Sequence, residues 1–347
     1  MTKTILLILV TIGLAGCNSY DRTKWETFLG YGISIEDSQF STLNFLNDSS
    51  GYFGGRLSLY QFKEDGTIES QSHVTELYRT LNTGRSWRQV ELKEEGGIQK
   101  IRFHGNSLYA LSQFLGHSPS IYHTSDSSEQ FTKIISFPDS CYVRDFGILN
   151  SGDLIVALDN KNKLNLLKIG NNFDTLAVFQ RFHYNVTIGR DNIYLINPSG
   201  GANSNGVIIF DPLTNTQRTE AFGLEGFVTS TYLTRNQEYW VTLNDKEEHG
   251  RLLKLTSQGF KEIDLGRYKD YSLNTVCKSG STILVDANRK EAVGPIGVTH
   301  ELLTSNDSGA TWNLENYPFS LIVKPFDILP NGQYITYQGM GMFQFRK

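Results

Sequence analysis

Several features are scarce in this chain, and each scarcity removes a class of protein. Three cysteines in 347 residues are too few for a disulfide-stapled scaffold. No apolar run approaches the roughly 20 residues a membrane-spanning helix needs. No block of Lys or Arg occurs and the net charge is −4, so the electrostatic footprint of a nucleic-acid binder is missing. The seven histidines, at 73, 104, 117, 123, 183, 249 and 300, show no His-x₃-His or similar spacing, so no metal is expected. The Gly-Gly pairs at 54–55, 96–97 and 200–201 lack the Lys or helix of a phosphate cradle, and no cofactor is expected. Gly-x-Ser-x-Gly does not occur, which leaves nucleophilic hydrolysis without sequence support. Proline numbers only 8, whereas glycine numbers 32 and aromatics make up 12 % of residues, a composition suited to many short strands and turns.

The first residues carry a positive Lys3, a short apolar run from Ile5 to Gly13, and then Leu14-Ala15-Gly16-Cys17. A basic start, an apolar stretch and small residues before a cut site are features of an export signal. The last four residues resemble the bacterial lipobox, which implies cleavage after residue 16 and lipidation of Cys17. The expected division is a signal over 1–16, a lipidated tether over 17–24 and one folded unit over 25–347. The resemblance places the protein at the bacterial cell envelope. Asn18, where an Asp commonly retains Gram-negative lipoproteins at the inner membrane, leans towards the outer membrane. Cys141 and Cys277 fall at different positions of different repeat units. They are expected to be free and half-buried, with a disulfide as the other arrangement open to an exported protein.

A two-part unit recurs along the chain. Its first part is a hairpin ending in an apolar run, as in Phe146-Gly-Ile148 into Asp153–Leu158 and Phe326-Asp-Ile328 into Gln333–Tyr337. Its second part is clearest in Ser305-Asn-Asp307-Ser-Gly309-Ala-Thr311-Trp312, with worn copies at Thr80-Leu-Asn82-Thr-Gly84-Arg-Ser-Trp87 and at Asp126 to Phe131. Short polar residues suit the corner and glycine supplies a positive φ. Tyr78, Tyr122, Leu166, Ile208, Leu252 and Leu302 hold equivalent places, spaced 44, 44, 42, 44 and 50 apart. A period near 44 with four strands per unit predicts an all-β fold, a seven-bladed β-propeller of four-stranded antiparallel blades. Six and eight blades are lesser options. Seven first parts but six second parts occur, so the lone strands at Trp25–Phe28 and Met340–Phe345 are expected to pair and close the ring.

The Ser305–Trp312 pattern resembles the Asp-box, or BNR repeat, of sialidase-like and photosystem II assembly-factor-like propellers. The phrase from Ser41 to Gly55, followed by Leu77 to Trp87, is similar to the assembly-factor-like group, which implies a scaffold for another protein. In those families the Asp-box is peripheral, so Asp126 and Asp307 are expected to be structural. A sialidase would need three clamping arginines, and the region Phe28–Glu36 has none. Arg102 and Arg144 lie near innermost strands, where they form either an anion patch or ordinary ion pairs with residues such as Asp145.

The long connections between first and second parts, over 54–76, 113–120, 197–206 and 286–299, are expected on one face, with short connectors such as 94–97 on the opposite one. That long-loop face is the candidate partner surface, through Tyr60, Phe62, Phe114, His117, Arg289 and Lys290. The expected function is a monomeric, non-enzymatic, lipid-anchored envelope protein that binds a protein partner, as an assembly factor or a toxin-neutralising immunity lipoprotein. The alternative is a sialidase-like hydrolase or glycan-binding module.

Overall fold

The computed structural model describes residues 25–30, 38–92, 96–114, 116–125, 130–170, 173–180, 185–196, 206–290, 298–315, 326–339 and 342–346. Cys17 with the whole segment 1–24, Asp126, residues 197–205, residues 291–297 and the side chain of Lys290 lie outside the described residues. Among the described residues, regular structure is β-strand apart from one 3₁₀ turn, Gly266–Tyr268.

Seven four-stranded antiparallel sheets succeed one another. We number them in chain order: sheet 1 covers residues 38–89, sheet 2 98–136, sheet 3 142–180, sheet 4 185–221, sheet 5 227–263 and sheet 6 272–315. Sheet 7 is built from both ends of the chain. Phe326–Ile328, Tyr334–Gly339 and Met342–Arg346 supply three strands, and Trp25–Leu29 adds the outermost one, with Trp25 opposite Arg346. Within each of sheets 1 to 6 the strands lie in sequence order, the first nearest the axis. The first strand of sheet 7 packs on the first strand of sheet 1, so the ring closes. All six ruler residues, Tyr78 to Leu302, sit on third strands, each paired to both flanking strands.

Apolar periodicity accounts for the ring. A central strand buried on both sides reads as an apolar run, and Ile155, Val156 and Ala157 are all 0 % exposed. Each four-stranded sheet therefore has two faces to cover. Seven buried clusters do this, one in each seam between neighbouring sheets. Phe146, Val156 and Leu111 fill the seam between sheets 2 and 3, and Tyr239, Val241 and Tyr194 that between sheets 4 and 5. The join between sheets 7 and 1 is sealed by Leu329 and Ile335 against Phe45, Phe53 and Trp87. Cys141 and Cys277 are both buried and free.

Alternating strand direction gives the ring two ends. The turns between first and second strands, and between third and fourth, share one, here called the turn end. The connections between second and third strands, and between successive sheets, share the other, the loop end. This corrects one expectation: the connector predicted at 94–97, described here through Gly96 and Gly97, lies at the loop end with the long connections. The Gly96 amide donates to His73 O (3.1 Å) and the Gln113 amide to Gly97 O (2.9 Å). Four strands per unit is an even number, so the chain leaves each sheet at the end where its second strand finished.

Candidate functional site

At the loop end the strands run on where loops were expected. Gly51–Phe62 and Ile68–Thr80 form one continuous antiparallel pair in sheet 1. Their distal part has no third strand beside it and projects as a two-stranded ribbon. Its tip turns at Gly66, with φ of 79°, and the Lys63 amide donates to Thr67 O (2.8 Å). Leu59, Phe62, Ile68 and Val74 on this ribbon are 45, 61, 56 and 38 % exposed, a concentration of solvent-facing apolar side chains in one element. Likewise Phe114 and His117 pair directly across the tip of a hairpin in sheet 2.

Four of the predicted surface residues fall in two pairs at this end. The rings of Tyr60 and Phe62 are 6.3 Å apart, and those of Phe114 and His117 also 6.3 Å. At the ribbon base His73 meets the Phe114 ring edge-on at 4.2 Å, and the Arg56 guanidinium lies 3.9 Å from its centroid. Burial, aided by the charges of Arg56 and His117, lowers the His73 pKa. Arg289 is elsewhere, on the second strand of sheet 6 near Tyr271 and Glu301, and Lys290 follows it on that strand.

The Ser305–Trp312 turn is peripheral and its polar groups are spent on itself. Ser305 Oγ donates to Asp307 Oδ1 (2.8 Å) and accepts the Gly309 amide (2.8 Å). The Thr311 amide and hydroxyl donate to the two Asp307 oxygens at 2.9 and 2.6 Å. Thr311 and Ser305 thereby pull the exposed Asp307 carboxyl down to about 2. Trp312 Nε1 donates to Asp264 O at the edge of sheet 5 (2.8 Å). The worn copy repeats the scheme: the Gly84 amide donates to Thr80 Oγ1 (2.9 Å), the Ser86 amide to Asn82 Oδ1 (2.9 Å), and Trp87 is buried. Phe131 takes the Trp place in sheet 2 and packs against the seam between sheets 1 and 2.

The turn end of the axis holds a cavity of about 320 Å³ lined by Arg102, His104, Arg190, Arg235, Asn44 and Gln237, with apolar and backbone groups between them. Behind it stands the buried Asp145, whose Oδ1 meets Lys100 Nζ at 2.5 Å and whose Oδ2 meets Arg102 Nη2 at 2.7 Å. Asp145 also accepts the amides of Phe146 (2.9 Å) and Ile188 (2.8 Å). Burial opposes its charge, but Arg102, Lys100 and these bonds together hold it below the usual carboxylate range. Arg102 Nη1 reaches on to Ile188 O (3.0 Å), bracing sheet 2 against sheets 3 and 4. Arg235 does the same from sheet 5. Its Nη2 donates to Phe45 O (2.7 Å) in sheet 1 and lies 3.2 Å from Asp327 Oδ2 in sheet 7. Asp327 also accepts the Phe45 amide (2.7 Å) and the Ile328 amide (2.8 Å). Burial prevails there and raises its carboxyl to about 6, against the pull of Arg235 and those amides.

Arg144 does not join Arg102. A bulge between Val143 and Asp145 re-aims it, so it pairs with Asp159 at the loop end, beside Tyr142. Sequence reasoning singled out Arg102 and missed His104, Arg190 and Arg235. The available signal was position: Arg190 and Arg235 both fall in the turn directly after a first strand. Asp245, Glu247 and His249 gather within 4.8 Å of one another. The Asp245 oxygens there already hold the Glu247 and His249 amides and Arg251.

No protein-family model matches the chain, and no curated protein sequence matches it. Solved structures do. YCF48 bound to D1 peptide aligns over 95 % of this chain and 96 % of its own, with a TM-score of 0.62 and 12 % identity. YCF48 from Cyanidioschyzon merolae aligns over 93 and 98 %, with 0.61 and 11 %. An oligogalacturonate lyase from Vibrio parahaemolyticus aligns over 89 and 98 %, with 0.58 and 11 %. The protein is thus a β-propeller. Proteins of different activity share this fold, so function must be argued from the site.

Proposed function

We propose that the protein is a non-enzymatic scaffold of the assembly-factor-like kind, held at the bacterial envelope by lipid on Cys17, that binds a protein partner at its loop end. The carrying observation is the projecting ribbon with Leu59, Phe62, Ile68 and Val74 in solvent. Apolar side chains on a free-standing ribbon contribute little to this fold and much to an interface that covers them. Phe114, His73 and Arg56 at its base supply the aromatic and Arg character favoured in interface cores. The likeness to YCF48, a structure of which holds D1 peptide, agrees with a protein ligand. The Asp-box reading of Ser305–Trp312 and Thr80–Trp87 fits two turns with matching hydrogen bonds. On the enzyme alternative, a sialidase-like mechanism needs carboxylate and tyrosine groups, and none lines the turn-end cavity among the described residues.

The test is site-specific photo-crosslinking in cells. A photoreactive residue at position 62 should give a discrete adduct that Ile68→Asp removes. One at Val178, 50 % exposed on the outer strand of sheet 3, should give none. Equal labelling at both positions would count against a loop-end interface. In the same strains Cys17→Ala should move the protein out of the membrane fraction, and unchanged fractionation would dismiss the lipid. Release of 4-methylumbelliferone from a sialoside by the purified protein would sink the non-enzyme claim.

A further inference from the structure

We infer that the turn-end cavity is a binding site for a small, multiply charged oxyanion, its ligating oxygens phosphate or carboxylate. Arg102, Arg190 and Arg235 come from sheets 2, 4 and 5 and line one cavity with His104; no Asp or Glu lines it among the described residues. Such a cluster is unusual on a chain whose net charge is −4. Like charges gathered at one concave place repel one another and concentrate the field there.

The ion pairs behind the cavity leave that field standing. Lys100 and Arg102 share one carboxylate, Asp145. Arg235 has Asp327. Arg190 is exposed and makes no ion pair among the described residues. Four cations thus face two carboxylates, leaving two positive charges. Both carboxylates lie behind the lining, so the field opens outward.

The donors are also held in place. Arg102 is fixed by Asp145 and Ile188 O, so its guanidinium is held in place at the lining. Arg235 is anchored through Nη2 alone, to Phe45 O, Ile328 O and Asp327. Its Nε and Nη1 donate to no acceptor among the described residues, which leaves them to a ligand. Planar guanidinium forks suit carboxylate and phosphate oxygens. Structural bracing explains Arg102 and Arg235, but the Arg190 side chain braces nothing among the described residues. The volume is at the lower edge of small-molecule sites, which favours a compact anion. This site is at the opposite end from the proposed protein interface and stands independently of it.

The test is calorimetric titration of the full chain in neutral detergent with pyrophosphate and with citrate, at constant ionic strength. Saturable one-to-one binding of either is expected; pyrophosphate alone would identify phosphate chemistry, citrate alone carboxylate chemistry. Arg190→Gln should weaken binding about tenfold, the loss of one charge-assisted contact, with an unchanged melting temperature because its side chain holds no other element. Arg235→Gln should weaken it similarly. Lys246→Gln, which breaks an exposed pair with Glu225 elsewhere, should leave it unchanged. Absence of saturable binding up to about 10 mM, or equal weakening by Lys246→Gln, would overturn the site. Binding of an acidic peptide with neither small anion bound would overturn the small-molecule assignment.

Discussion

Asp327 shows how much a single side chain depends on its surroundings. Asp145, fully buried, and Asp327, largely buried, each accept an amide of an adjoining sheet and meet an arginine. Asp145 has two cations and stays charged; Asp327 has one, and burial beside Tyr232 and Cys277 wins. A carboxyl at about 6 in the folded protein and 3.8 otherwise binds its proton more tightly when folded. Its contribution to stability is therefore complete below 3.8 and is lost as pH rises through about 6, a difference on the order of 3 kcal/mol. Urea midpoints at pH 5 and pH 7 should show the fall, and Asp327→Asn should flatten it. An equal slope in that variant would assign the effect to another group. None of this was legible in the sequence. Asp327 appeared there only as the middle of an apolar strand, and burial is a property of the closed ring.

At the scale of the element, the turns were legible, and the end taken by the connector at Gly96–Gly97 was not. Ser305, Asp307, Gly309 and Trp312 could be read because each meets a local demand: a side-chain acceptor for two amides, a positive φ, an apolar plug. Gly309 has φ of 92°, and a Cβ there would stand 2.6 Å from Ile263 Cγ2. Gly309→Ala should cost about 2 kcal/mol in thermal melts. Gly66→Ala at the open ribbon tip, with φ of 79° and no neighbour within 4 Å, should cost less. Equal losses would show that the contact with sheet 5 carries no weight. The partner surface was legible in part. Tyr60 and Phe62, and Phe114 and His117, share the loop end because two consecutive sheets lengthen the same pair of strands. Arg289 sits apart because two seams separate sheet 6 from sheet 1. Only tertiary order distinguishes these cases.

Across the whole molecule, the period of the ruler residues carried the ring, since it counts third strands and is indifferent to worn turns. The closure needs more than backbone pairing. Arg346 in sheet 7 meets Glu315 in sheet 6 through two bonds, Nη2 to Oε1 at 2.6 Å and Nε to Oε2 at 2.9 Å. Glu315 is 6 % exposed. Removing one partner leaves a buried charge uncompensated, so Arg346→Met should cost about 3 kcal/mol, measurable as a lower urea midpoint. A loss below about 0.5 kcal/mol would place that pair among the inconsequential ones.

The pairing of Trp25 with Arg346 has a bearing on orientation. Met342–Arg346 runs towards the turn end, so Trp25 begins its strand there, on the outer rim. The proposed lipid on Cys17 would therefore join the propeller at the turn end rather than the loop end. The arginine-lined cavity lies at the same end as Trp25, and the ribbon projects from the other, so whatever is joined to Trp25 is kept clear of the ribbon by the depth of the ring.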